Sequence, residues 1–119
     1  MTTNTRMGAL QISIGLLTLA TAAIHLWLGA LQISMGMLGG VMFLANAAGY
    51  IGLLAALYLQ LPIAFIAKRR SLVRLALVLF AAVTILGWVA IGSRNEIGVL
   101  DKVIEVLLII LLVLEARQK

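Results

Sequence analysis

The chain has 119 residues, of which 64% are hydrophobic and only 11% are charged, and it carries a formal net charge of +5 and no cysteine. This composition excludes a water-soluble globular domain, in which about a quarter of the residues are charged. The lack of cysteine excludes disulfides, thiolate metal sites and cysteine nucleophiles. The apolar residues form long continuous runs, which excludes a transmembrane β-barrel and predicts a small, multi-pass, all-α membrane protein.

The predicted spans follow from the apolar runs and the breaks between them. The first run continues past Ala20–Ala22, a tripeptide that fits a signal-peptide cleavage pattern, and is long enough to cross a bilayer, so we expect an uncleaved helix. The glycine-rich stretch 31–40, Pro62 and the polar stretch 92–98 mark the breaks. The sequence thus predicts one four-helix transmembrane bundle over residues 1–119, with spans at about 8–30, 40–61, 72–91 and 99–115.

Lysine and arginine are unevenly distributed between the two predicted sides of the bundle. Seven lie at the termini and between the second and third spans, against two, Arg94 and Lys102, on the other side. Because loops rich in Lys and Arg stay cytoplasmic, we expect both termini in the cytoplasm and the chain in the cell (inner) membrane. We expect the basic cluster after the second span to contact lipid head groups rather than nucleic acid. This cluster comprises Lys68, Arg69, Arg70 and Arg74.

Four side chains are predicted to lie at similar depth near the outer ends of the spans: His25, Asn46, Trp88 and Glu105. A carboxyl group inside a bilayer is costly, so Glu105 must be protonated, paired or in contact with water, and His25 is its expected partner. We favour a structural hydrogen bond between the first and fourth helices. The alternative is a proton-relay or ligand site in which His25 and Glu105 titrate as a pair.

Further charges surround Glu105 in the sequence. Asp101 lies four residues earlier and therefore on the same helix face, with Lys102 beside it and Arg94 and Glu96 in the adjoining turn. Mixed charges at a helix end usually neutralise one another in contact with water. We therefore expect Asp101 and Lys102 to form a solvated rim.

No metal or other cofactor is expected. Two carboxylates with a single histidine make a poor transition-metal site. A haem or chlorophyll would find one axial ligand in His25, with space for its ring beside Thr21 and Ala22, but the sequence offers no second histidine.

The second helix carries a stripe of small residues that would let another backbone approach closely. We favour packing inside the bundle, and the alternative is a docking face for a helix from another protein or another copy. The stripe comprises Ala45, Ala48, Gly49, Gly52 and Ala56.

The sequence lacks a phosphate-binding loop, a zinc-protease motif and a plausible Ser/His/Asp arrangement, so no enzymatic activity is predicted. We favour a non-catalytic accessory or assembly subunit of a larger integral-membrane complex for electron transfer or energy conversion. The alternative is a small oligomeric transporter, channel or ligand-binding protein that uses Glu105, His25 and Asn46, and a second alternative is tetrapyrrole binding through His25. The expected partners are the bilayer and other membrane subunits or further copies of the chain.

Overall fold

The computed structural model describes residues 8–59, 69–92 and 95–118. Within these ranges the chain forms four α-helices: α1 (Ala9–Ser34), α2 (Gly40–Tyr58), α3 (Arg70–Ile91) and α4 (Glu96–Ala116). The first three are long and apolar enough to cross a membrane. The prediction of an all-helical chain is therefore confirmed for the described residues, with four helices of which three have the length and hydropathy of membrane spans. Five residues used in the sequence predictions lie outside the described ranges. Arg6, Pro62, Arg94 and Lys119 were used to predict the orientation and the turns, and Lys68 belongs to the basic cluster.

The helix ends differ from the predicted bounds by up to one turn. α1 continues through Ser34 because residues 31–34 contain no helix-breaking residue, and the turn follows at Gly36, whose φ of +78° lies in the left-handed region that favours glycine. α4 begins at Glu96 because the side chain of Asn95 accepts a hydrogen bond from the Gly98 amide at 2.7 Å, which caps the helix.

The four helices are arranged in a ring, in which α1 and α3 each pack against both α2 and α4. Sequence neighbours run antiparallel, as in an up-down-up-down bundle. Apolar side chains from all four helices form a buried core, and many other large apolar side chains of these helices are exposed on the outer surface, as expected for a surface that faces lipid. The buried apolar side chains are Ile14, Ala22, Ala47, Tyr50, Leu57, Leu77, Ala81, Leu108 and Leu112.

The backbones of α1 and α2 are in direct contact at Gly29 and Gly40. A Cβ atom added to Gly29 would lie 2.8 Å from the Gly40 carbonyl oxygen, and one added to Gly40 would lie 2.5 Å from the Gly29 carbonyl oxygen. Neither position therefore has space for a side chain, and the two glycines allow the close crossing of the helices.

The residues of the predicted small-residue stripe of α2 do not all pack against the same neighbouring helix. Gly49 lies beneath the ring of Phe80 on α3, where an added Cβ atom would collide with the ring, whereas Gly52 has open space around it. Ala45 and Ala48 are exposed and Ala56 is half-buried. The inward face of α2 is instead set by larger side chains such as Tyr50, so most of the stripe points outward.

We expect alanine substitutions at Gly49 and Gly52 to have opposite effects on stability. Gly49→Ala should lower the free energy of unfolding by about 1–3 kcal/mol, because the Phe80 ring must move. Gly52→Ala should raise it by up to about 1 kcal/mol, because alanine favours a helix and meets no neighbour. Denaturant unfolding in detergent, followed by circular dichroism, measures both changes. Equal shifts in the same direction would contradict the described contact between α2 and α3.

Candidate functional site: a buried ionisable cluster

Three charged residues of α4 point into the bundle. Asp101 and Glu105 are four residues apart and share one helix face, and Lys102 lies beside them. Their exposed fractions are only 3% for Asp101, 9% for Lys102 and 0% for Glu105. The expected solvated rim is therefore wrong for Asp101 and Lys102, because α1 packs over this face of α4 and Tyr50 of α2 reaches Glu105.

The charged groups are in direct contact with one another. The ammonium nitrogen of Lys102 lies 2.6 Å from Glu105 Oε1 and 3.0 Å from Asp101 Oδ2, so one cation bridges two carboxylates. On α1, His25 is 4% exposed, and its Nε2 lies 3.6 Å from the same Asp101 Oδ2. We call His25, Asp101, Lys102 and Glu105 the ionisable cluster.

Two hydroxyl groups complete the surroundings of the carboxylates. Thr21, one helical turn before His25, donates to Asp101 Oδ1 at 2.6 Å and lies 3.1 Å from Glu105 Oε2. Tyr50 of α2 donates to Glu105 Oε2 at 2.7 Å. All four oxygens of the two carboxylates thus have a polar partner, which offsets part of the cost of burying them.

Aromatic rings fix the positions of His25 and Tyr50. The His25 ring lies 5.7 Å from the ring of Phe43 and 6.1 Å from that of Tyr50, between centroids. Phe80 of α3 meets the Tyr50 ring edge-on at 4.9 Å, a favourable geometry for aromatic pairs. The cluster is therefore held by packing as well as by charge.

The predicted layer of four residues separates into two groups. His25 and Glu105 lie in one cluster, with ligand atoms of His25, Asp101 and Glu105 all within 4.8 Å of one another. Asn46 instead donates to the Thr84 hydroxyl at 2.8 Å and joins α2 to α3. Its Oδ1 is buried and has no hydrogen-bond partner among the described residues. Trp88 is half-buried one turn beyond Thr84.

A second polar cluster, not predicted from the sequence, lies at the opposite end of the bundle around Glu115. Its Oε1 pairs with Arg74 Nε at 2.8 Å, and its Oε2 accepts hydrogen bonds from Tyr58 at 2.7 Å and Gln11 at 3.1 Å. These four residues, the Glu115 cluster, join all four helices. The signal in the sequence was the placement of Gln11, Arg74 and Glu115 at the same predicted end of their spans.

The basic residues expected at lipid head groups have mixed positions. Arg74 forms the internal ion pair with Glu115, and Arg70 donates from Nε to the Leu57 carbonyl oxygen at 2.7 Å, which helps to close the end of α2. The side chains of Arg69 and Arg70 are exposed. Head-group contact therefore stays a prediction for these two residues and for Lys68, whereas Arg74 is engaged inside the bundle.

The arrangement limits which cofactors the cluster fits. His25, Asp101 and Glu105 bring together three potential ligands for a metal ion, but the Lys102 ammonium group contacts both carboxylates, where a metal ion would have to bind. Both ring nitrogens of His25 face polar atoms, and Thr21 and Ala22, beside which a tetrapyrrole ring would lie, are buried, so tetrapyrrole binding would require these contacts to rearrange.

Comparisons of the chain with known protein families, with curated proteins and with solved structures find no match. The functional argument therefore depends on the geometry of the described residues. The ionisable cluster is the strongest candidate, since charged side chains buried in a membrane bundle are costly and usually mark ion or substrate pathways.

We expect Lys102→Met to destabilise the protein strongly. The substitution leaves two buried carboxylates without their bridging cation, a change that costs about 3–5 kcal/mol in buried ion pairs. Adding Asp101→Asn should restore part of this loss, because it removes one of the unpaired charges. Denaturant unfolding in detergent gives the free energies, with Arg117→Met, at an exposed position just after the same helix, as the control. A loss below about 1 kcal/mol for Lys102→Met would show that Lys102 does not compensate these carboxylates.

Proposed function

We propose that the chain is a small, non-catalytic membrane protein of the transporter or channel class, and that the ionisable cluster is its ion-binding site. One observation carries the proposal: four ionisable residues of α1 and α4, none more than 9% exposed, meet in the interior of a chain that is 64% hydrophobic. In membrane bundles such groups mark ion pathways and proton relays.

A purely structural role explains the cluster less well. Helix association needs few polar contacts, and the Asn46–Thr84 bond and the Glu115 cluster already join the helices. Replacing a buried ion pair by apolar side chains is often neutral or even stabilising. Three charges on one face of α4 are therefore more than stability requires. For this reason we favour ion binding over a purely structural role of the cluster.

We further propose that α4 is a fourth membrane span, so that both termini lie in the cytoplasm and the chain in the inner membrane. Its 21 residues reach about 31 Å, close to the thickness of the hydrocarbon core. Its outward side chains are apolar, including Val99, Val103 and Ile110. Seven lysines and arginines lie on the side of the termini and two on the other side, which supports this orientation. Since four helices can hardly enclose a pathway, the working unit is an oligomer.

Ion flux into liposomes tests this proposal. The purified chain is reconstituted, and influx of H⁺, Na⁺ and K⁺ under an imposed gradient is followed with ion-sensitive dyes. We expect flux of one of these ions above that of empty liposomes and a loss of about tenfold or more in Glu105→Gln, because the site loses a charge that binds the ion.

Glu96→Gln is the matched control, since it removes the same charge from an exposed position of the same helix. It should leave the flux unchanged. The proposal is wrong if the wild-type protein conducts none of the three ions, or if Glu105→Gln conducts as well as the wild type. Size-exclusion chromatography verifies that each variant assembles like the wild type.

A second candidate function is the accessory or assembly subunit. It is favoured by the exposed part of the small-residue stripe, where Ala45, Ala48 and Gly52 lie on the outer surface of α2 and leave space for another helix backbone. In this role the chain would bind a larger membrane subunit along α2.

We expect Gly52→Leu to abolish stoichiometric co-purification with such a subunit from native membranes, because the larger side chain keeps the partner backbone away. Gly87→Leu is the control, since Gly87 of α3 is also exposed with open space around it. Mild-detergent extraction, size separation and mass spectrometry measure the association. A homogeneous homo-oligomer without other subunits would exclude the accessory role.

A further inference from the structure

The surroundings of His25 fix which ring nitrogen carries a hydrogen atom. Its Nδ1 lies 2.8 Å from the backbone carbonyl oxygen of Thr21, one turn earlier on α1. A carbonyl oxygen can only accept a hydrogen bond, so Nδ1 must be the donor. In the neutral ring only one nitrogen is protonated, and this contact assigns the hydrogen to Nδ1 and leaves Nε2 as the basic atom.

Nε2 faces a group that also lacks a hydrogen atom. Asp101 Oδ2, 3.6 Å away, is an acceptor when the carboxyl group is ionised. The Lys102 ammonium group forms an ion pair with the same oxygen at 3.0 Å. The lone pair of Nε2 would then face a lone pair of Asp101 Oδ2. One additional proton on Nε2 turns this contact into an ion pair.

The hydrogen-bond donors around His25 are directed at the two carboxylates rather than at Nε2. Tyr50 of α2 donates its hydroxyl hydrogen to Glu105, and Thr21 donates its own to Asp101 Oδ1. Lys102 interacts with both carboxylates. Among the described contacts none of these groups donates to Nε2, so a proton on Nε2 is additional to the hydrogen atoms already placed.

The charge balance favours such an additional proton. With both carboxyl groups ionised, the cluster without this proton has a net charge of −1. With an imidazolium at His25 the net charge is zero, which reduces the cost of keeping the cluster out of water.

We propose that the ion bound by the cluster is a proton, held by His25 Nε2 against Asp101 Oδ2, and that Nδ1 keeps its hydrogen bond to Thr21 whether or not this proton is present. The inference deepens the proposed function and rests on it. Binding converts neutral imidazole to imidazolium and changes no other bond. A divalent metal ion would instead have to displace the Lys102 ammonium group from both carboxylates.

The single histidine makes a direct test possible. The full chain, labelled with ¹⁵N-histidine, is reconstituted in vesicles of phosphatidylethanolamine and phosphatidylglycerol and studied by solid-state NMR across a pH series. Protonated and unprotonated ring nitrogens give separate signals. We expect Nδ1 to stay protonated throughout, while Nε2 loses its proton as the pH rises. A neutral form protonated at Nε2 would overturn the proposal.

Two further measurements examine the partner and the ligand. Asp101→Asn should lower the imidazolium fraction at about pH 6.5 by at least about threefold, because the counter-charge is lost. Glu96→Gln should not change it. Added Zn²⁺ should leave the His25 signals unchanged, and a metal-shifted Nε2 signal would show that a metal ion, not a proton, is the ligand.

The NMR and flux results separate the two proposals. The expected tautomer without ion flux would confirm the proton site and refute transport. Flux of Na⁺ or K⁺ with an Nε2-protonated neutral ring would support transport and refute the proton site. The tautomer is measured in the wild-type chain, so this test does not depend on whether any variant folds.

Discussion

The charges on one face of α4 constrain the whole bundle. An uncompensated carboxylate in an apolar interior is so unfavourable that each must contact a donor or a cation from a neighbouring helix. Glu105 meets this requirement with Lys102, Tyr50 and Thr21, and Glu115 meets it with groups from the other three helices. The hydrophobic effect does not select one arrangement among apolar helices in lipid. Here the polar contacts make that selection.

The number and type of the helices were predictable because apolar runs of membrane length leave little choice of structure. Their ends were less predictable, since they depend on local features such as the Asn95 cap and the left-handed Gly36. The close contact between Gly29 and Gly40 was not predicted from the sequence. Pairs of small residues are common in such sequences, and which pair lies at an interface depends on how each helix rotates about its axis.

The candidate site was predicted in part. The proximity of His25 and Glu105 followed from their equal depth in the bundle, which needs only the helical rise. The burial of Asp101 and Lys102 did not follow, because charges near a helix end are usually hydrated. The role of Tyr50 did not follow either, because a sequence alone does not distinguish this residue from an aromatic residue at the membrane surface. Both depend on which side of α4 faces the bundle interior, a property of the packed bundle rather than of any single helix.

The backbone contact between Gly29 and Gly40 restricts how this bundle can move. Gly29 lies one turn beyond His25, so the ends of α1 and α2 nearest the ionisable cluster interlock without intervening side chains. Such a pair behaves as one rigid body, since sliding or separation would first have to break a close-packed crossing. Parting α1 from α2 beside His25 would therefore cost the packing of this crossing.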